Sequence, residues 1–401
     1  MKQLNFSIEE AGLKGLKGIK SMFMEDMQKG TRYILQHLMN HWMEIERDEF
    51  MEKVYLEGAD DENVLDSRNG YYKRTLRCLM GQIEDLSVPR TRSSRFYPTI
   101  LEKGKHISRF TSEGITKMYL RGVSTHGVGE VLEGLIGYRV SSGFVSTITK
   151  TLNTDVELFY KRKIDDRVKF LFLDGIYVKS KGLLKSRKRP ILVAYGIYED
   201  GRREFLHFRM SRNESENEWL KMINELYQKG LKGANLEGIC IDGCPGLIAA
   251  LETVYPYTKR LRCLAHKMRN VANTCKKSQL DDCTRDAQQI YQASCKRDAI
   301  SRFKTFKQKW FKENPKAVEC IEKDLEDLLH FYSFDPLLWK RIRTTNLIER
   351  SFGEVRRRTK VMGCFPNDDS RARMVYALFS YFNNKWSQKR LYIKMSLEKV
   401  A

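Results

Sequence analysis

The chain has 401 residues, enough for two or three domains, and its 41% hydrophobic and 11% aromatic content excludes a disordered protein. Its 72 Lys and Arg against 51 Asp and Glu leave a net charge of +21, a self-repulsion that is normally neutralised by a polyanion, so nucleic acid is the expected partner. Nine cysteines without a Cys-x-x-Cys pair exclude a disulfide framework and a zinc ribbon and suit a reducing cytoplasm, and no segment has the apolar length of a secretion signal or membrane span.

Residues 1–65 carry helical periodicity, as in "TRYILQHLMNHWMEIERDEFMEKVYLEG". His37 and His41 lie one helical turn apart there, but without a third ligand they read as an ordinary helix face. The stretch 66–108 opens on a turn dipeptide and then alternates, "NGYYKRTLRCLMGQIEDLSVPRTRSSRF", which predicts a small basic β-hairpin. Residues 109–163 return to short helices. Gly122-Val123-Ser124 opens one, Gly137 ends it and Ser141-Ser142 caps the next, predicting a helix-turn-helix with Ser142 to Lys150 as its recognition helix.

The next section, 164–266, is rich in strands. "VKFLFLDGIYVKSKG" is a buried strand ending on Asp174, and "RPILVAYGIYEDGRREFLHFRMS" is a hairpin turning at Glu199-Asp200-Gly201. "SENEWLKMINELYQKG" is an amphipathic helix with Trp219, Ile223 and Leu226 on one side. "LEGICIDGCPGL" is a short strand ending on Asp242, and "RLRCLAH" is a fifth strand. Residues 267–340 read as helical, and 341–401 as a capped helix stopping near Gly363 and Pro366, followed by a further helical segment.

Three strands, a helix, a fourth strand and a late helix is the order of a ribonuclease H-like α/β core, here with an all-helical insertion and an N-terminal DNA-binding region that is mostly helical. In such a sheet the first and fourth strands are neighbours, so Asp174 and Asp242, 68 residues apart, converge at one edge. Two adjacent carboxylates repel unless a cation compensates, and Mg²⁺, with its preference for carboxylate, water and phosphate oxygens, is the natural one. A third acid should come from the late helix. At 100° per residue Asn346, Arg356 and Lys360 lie within about 60° of Glu349, whereas Glu354 is turned about 140° away. Glu349 is therefore the choice, and Glu354 is expected to pair with Arg350 or Arg358.

The segments "NGYYKRTL", "VPRTR", "YLRGVSTHGVGEVLEGLIG", "LFLDGIY", "ICIDGCPGL", "RCLAHKMRNV" and "TTNLIERSFGEVRRRTKVMGCFPN" carry a resemblance. From about residue 60 to near 390 the chain resembles the transposases of the Mutator-like superfamily, in their bacterial insertion-sequence branch. The resemblance implies an Asp-Asp-Glu triad, Asp174, Asp242 and Glu349, holding two Mg²⁺ ions for which Mn²⁺ would substitute. It implies cleavage of DNA strands and transfer of the freed 3′-OH, after binding of the element's terminal inverted repeats. At least a dimer acting on double-stranded DNA in the bacterial nucleoid follows from joining two ends. The family's Cys-x-x-His element falls on Cys263 and His266, for which a local structural or DNA-contacting role is expected. Phe352, where many relatives carry a polar residue, departs from the pattern.

Two cationic clusters are expected to follow the DNA backbone without reading sequence: Lys179, Lys181, Lys185, Arg187, Lys188 and Arg189, and Arg356, Arg357, Arg358 and Lys360. A structure-specific nuclease of the same fold and a DNA-binding regulator with a vestigial triad are the competing readings. A pre-cut 3′-OH end, which only a transposase would join to target DNA, separates the first, and metal-dependent nicking the second.

Overall fold

The computed structural model describes residues 26–57, 66–181 and 186–387, arranged as two compact units divided between Lys150 and Thr151. The first unit opens with a long helix, α1 (Met27–Glu57), followed by the antiparallel hairpin β1 (Arg68–Cys78) and β2 (Gly81–Thr91). Leu76, Ile83, Leu86 and Val88 form a core with Met43 of α1, and a bulge at Asp85, φ +53°, lets Ile83 and Leu86, three residues apart, reach it together. Three short helices follow, α2 (Arg109–Leu120), α3 (Thr125–Ile136) and α4 (Ser142–Thr149). Ser108, Ser124 and Ser141 start them, each side chain accepting from the backbone N–H three residues on. Such a cap is worth about 1 kcal/mol. Ile115, Val128, Leu132, Ile136, Val145 and Ile148 fuse the three into one core. His37 and His41 are both exposed, His37 beside the ring of Tyr33 and His41 facing Glu44.

The second unit begins with α5 (Leu152–Lys161) and is built on a five-stranded sheet in the order β5-β4-β3-β6-β7. β3 (Val168–Ser180), β4 (Arg187–Tyr198) and β5 (Arg203–Met210) form an antiparallel meander, and β6 (Gly238–Ile241) and β7 (Lys259–Arg262) run parallel to β3. Helices cover both faces, which is why "FLFL" and "ILVAYGIY" are continuous apolar runs and not alternating ones. On one face Leu171, Leu173, Leu192, Ile239 and Ile241 pack with Trp219, Met222, Ile223 and Leu226 of α6 (Glu216–Gln228) and Leu247 and Leu251 of α7 (Pro245–Val254). On the other, Phe205 stacks on Phe379 of α15 (Asp368–Ser387) at 3.8 Å between ring centres. Each such buried side chain contributes about 1.5–3 kcal/mol relative to exposure.

Beyond β7 the chain is helical: α8 (Leu264–Thr274), α9 (Leu280–Tyr291), α10 (Lys296–Trp310), α11 (Pro315–Glu322), α12 (Leu325–Leu329), α13 (Pro336–Ile342) and α14 (Asn346–Met362), then α15. One element departs from expectation. β3 does not stop at Asp174 but continues to Ser180, paired with β4 throughout, while its parallel pairing with β6 ends at Leu173 and Ile241. Beyond that point Ile176 and Val178 stay buried and Tyr177 and Lys179 face outward, so the strand turns half-buried where its second neighbour stops.

Candidate active site

Asp174 and Asp242 are the next residues on β3 and β6 after the last paired couple, Leu173 and Ile241. Parallel neighbours lie about 4.8 Å apart, so the register alone sets the two acids side by side. Asp174 is 5% exposed, and one of its oxygens accepts from the backbone N–H of Gly175 at 2.8 Å. Asp242 stands on the turn out of β6, where its Oδ1 accepts from the N–H of Cys244 at 2.9 Å. Gly243, between them, has φ +85°, and a Cβ there would fall inside the guanidinium of Arg262, so only glycine fits this turn.

α8 starts beside this edge because Cys263 continues the sheet, its N–H donating to Ile241 O at 2.8 Å. Cys263 is fully buried, which removes the expected option of a DNA contact. Its sulfur instead accepts from the N–H of Thr345 at 3.3 Å and lies 3.3 Å from the Thr345 hydroxyl. Thr345 is the residue just before α14, and its hydroxyl also lies 3.5 Å from Nδ1 of His266. Cys263 and His266 thus pin the start of the helix that carries Glu349. The far end is pinned as well: Phe365 N–H donates to Lys179 O at 3.2 Å, and Lys181 N–H to Phe365 O at 2.8 Å. The extension of β3 is what Phe365, in the "GCFPN" segment, docks on.

Glu349 faces the acids across His266. Its Oε1 lies 3.7 Å from His266 Nε2 and accepts from Arg269 Nη2 at 2.7 Å. Burial, helped by the charge of Asp242, pushes the Asp174 carboxyl up to about 7, with His266 acting in the opposite direction. His266 is lifted to about 9, first by its hydrogen bond with Cys263 and then by the charges of Cys263, Asp174 and Asp242. The Cys263 thiol is pulled well below its ordinary range by hydrogen bonds, that from Cys240 foremost. The acids at this sheet edge and Cys263 thus favour the charged form of His266. Among the described residues no three acid, His or Cys side chains are grouped as they would be around a bound ion, and Glu349 is held by Arg269 and His266. In kind, though, the oxygen donors Asp174, Asp242 and Glu349 suit a hard divalent cation.

Residues 9–389 match the family model described as "Transposase, Mutator family". The chain belongs to the Mutator family of transposases. It is 31% identical to the transposase for insertion sequence element ISRM5 of Rhizobium meliloti, over 91% of each chain. Identity is 30% with the transposase for IS905 of Lactococcus lactis, over 91% of this chain and 92% of that one. With the transposase for IS256 in transposon Tn4001 of Staphylococcus aureus it is 29%, over 96% and 97%.

The cations of this transposase divide by orientation. Lys179 pairs in register with Lys188, and Lys179, Lys181, Arg187 and Lys188 are exposed on the β3–β4 hairpin. Arg189 is half-buried and faces Asp368 at 3.9 Å, and Lys185 lies outside the described residues. On α14 Arg356, Arg357 and Lys360 are exposed, as is Asn346 at its start. Arg358 departs from the expected DNA-facing group: it is buried and paired with Glu354, which also accepts from Arg357 at 2.8 Å. Phe352 is buried too, so its departure from a polar residue concerns packing.

Sequence reasoning missed Thr345, Arg269 and Glu214. Arg269 stands three residues after His266 on one helix, a spacing that puts both on one face and would have found it. Glu214, in the polar loop before α6, gave no signal.

Asp174 also carries a measurable consequence. Its folded value of about 7 lies above the ordinary 3.8, so the folded chain holds the proton more tightly and stability falls as pH rises from about 4 to about 7. In divalent-free buffer at pH 8, Asp174→Asn is expected to melt above the unsubstituted chain, and the gap to close below pH 4. Equal melting temperatures at pH 8 would contradict the buried, crowded carboxylate.

Proposed function

We propose that this transposase is a DDE-type enzyme that cuts DNA strands at the ends of its insertion sequence and transfers the freed 3′-OH to target DNA. Asp174, Asp242 and Glu349 would hold Mg²⁺ in a ribonuclease H-like core, a reading supported by the strand order β5-β4-β3-β6-β7 and the helices between β7 and α14. The observation that carries it is the position of Asp174 and Asp242 directly after the last β3–β6 couple, Leu173 and Ile241, with Glu349 across His266.

The divalent cation, when bound, supplies Lewis-acid activation of water and neutralises charge on the scissile phosphate. The chain's own part is to hold the acids. β3 and β6 fix the two aspartates through their ladder, and Cys263 with Thr345 fixes the start of α14. Arg269 and His266 keep Glu349 half-buried and aimed at the edge, and both are cations placed to take up phosphate charge when the glutamate leaves them.

Lys179, Lys181, Arg187 and Lys188 would track the backbone beside the site. Replacing Lys179 and Lys188 together by Ala is expected to lower the slope of log affinity against log salt by about two, without changing the preferred sequence. An unchanged slope would remove this hairpin from the DNA path. The first unit, with its capped three-helix core, would read the terminal inverted repeats, and joining two ends calls for at least a dimer.

Incubating the chain with duplexes from the ends of its own element and Mg²⁺, then mapping the nicks, tests the proposal. Nicks at the element's termini, and joining of a pre-cut 3′-OH end to target DNA, are the expected results. Nicking without joining would leave a nuclease, and DNA binding without nicking a regulator.

A further inference from the structure

The loop before α6 delivers another carboxylate to the edge where Asp174 and Asp242 meet. Glu214 lies against the Cα of Gly175, the residue after Asp174, so closely that a Cβ on Gly175 would overlap its Oε1. Tyr177, two residues along β3, stands beside the Glu214 carboxylate. The loop is fastened to the turn after Asp242 from the other side. Cys244 Sγ donates to Glu214 O at 3.4 Å, and a Cβ on Gly246 would stand only 2.6 Å from the backbone nitrogen of Glu216. One short loop therefore bridges the strand ends that carry both aspartates, and Glu214 feels the charge of Asp242 and of His266.

How the molecule treats its other half-buried acids sharpens the point. Asp324 is paired with Arg262 and Lys267, Glu225 with His207 and Arg209, and Glu354 with Arg357 and Arg358. Among the described residues Asp174, Asp242 and Glu214 have no Lys or Arg ion pair, although they crowd one edge and Asp174 is nine-tenths buried. His266 offsets only part of the repulsion among these carboxylates, and a cation from solution would relieve the rest. A glycine inside a strand gives up packing and backbone order, and at position 175 it leaves the volume the Glu214 carboxylate fills.

We propose that Glu214 is a fourth carboxylate of this edge, joining Asp174 and Asp242 in holding the divalent cation, and that position 175 is glycine in order to seat it. This rests on the metal-dependent reading given above.

The test is titration of Mn²⁺ into the full chain by calorimetry, with terminal-end duplex binding and metal-free melting temperature measured alongside. Glu214→Gln, which removes the charge and keeps the shape, and Gly175→Ala, which displaces the carboxylate, are each expected to weaken Mn²⁺ about tenfold or more. Duplex binding should stay unchanged, and Glu214→Gln should melt no lower than the unsubstituted chain when metal-free. A purely structural Glu214, serving only Tyr177, would leave the Mn²⁺ affinity alone and lower the melting temperature. If both variants bind Mn²⁺ as the unsubstituted chain does while Asp174→Asn binds it weakly, Glu214 is no part of the site and the metal reading stands. If Asp174→Asn binds Mn²⁺ as well as the unsubstituted chain, the metal reading itself falls and the proposal with it.

Discussion

Asp174→Asn is expected to lower strand cleavage at the element's ends by about 10³-fold or more, with binding to those ends retained. The size follows from what a bound dication supplies to a phosphoryl transfer, several kcal/mol at 1.36 kcal/mol for each factor of ten. Retention of binding follows from location. Asp174 is buried on the strand edge and touches no exposed cation of the hairpin, so DNA affinity, which rests on phosphate contacts, loses nothing with it. The same loss is expected for Asp242→Asn and Glu349→Gln, because one missing donor leaves the others unable to hold the ion. Cleavage within tenfold of the unsubstituted chain for any of the three would remove that residue from the site.

Asp324→Ala is expected to destabilise the second unit by about 3–5 kcal/mol, the cost of stripping the partner from a buried charge. Asp324 stands just before α12 and accepts from Arg262 Nε at 3.0 Å and from Lys267, which are 7% and 3% exposed. Burial would raise its carboxyl, but Lys267 and Arg262 outweigh that and hold it below the ordinary carboxylate range. Without Asp324, Lys267 keeps only the carbonyl of Cys320, and Arg262 is left buried over Gly243 beside Asp242. Two like charges would then share a closed space. Urea unfolding of the full chain, followed by a probe in the second unit, measures the effect. A loss under 1 kcal/mol would show that the two cations escape to solvent.

The sheet was legible because burial on both faces writes itself as uninterrupted apolar runs, and Asp174 and Asp242 stood out as charges at the ends of two such runs. The serines before α3 and α4 were legible for the same kind of reason, since a cap needs a particular side chain at one position. The continuation of β3 was not. Its alternation of Ile176 and Val178 with Tyr177 and Lys179 is a strand pattern, but the lysines drew it into a basic run. Arg358 shows a rule applied too narrowly. At nine residues from Glu349 it stands about 180° around the helix, the inward side, although it reads as one more cation in "RRR". Lys267 likewise gave no sign of burial, because its partner Asp324 is 57 residues away and only tertiary folding joins them. Glu214 was hidden by its setting, a loop rich in polar residues in which one acid looks like another.

The most direct test of the central claim is the anomalous scattering of Mn²⁺ in a crystal of the chain bound to a duplex from the end of its element. The account predicts a peak at the edge between Asp174 and Asp242, with Glu349 drawn off Arg269 and His266 to coordinate it. A peak elsewhere, or Glu349 still held by Arg269 with DNA in place, would contradict it.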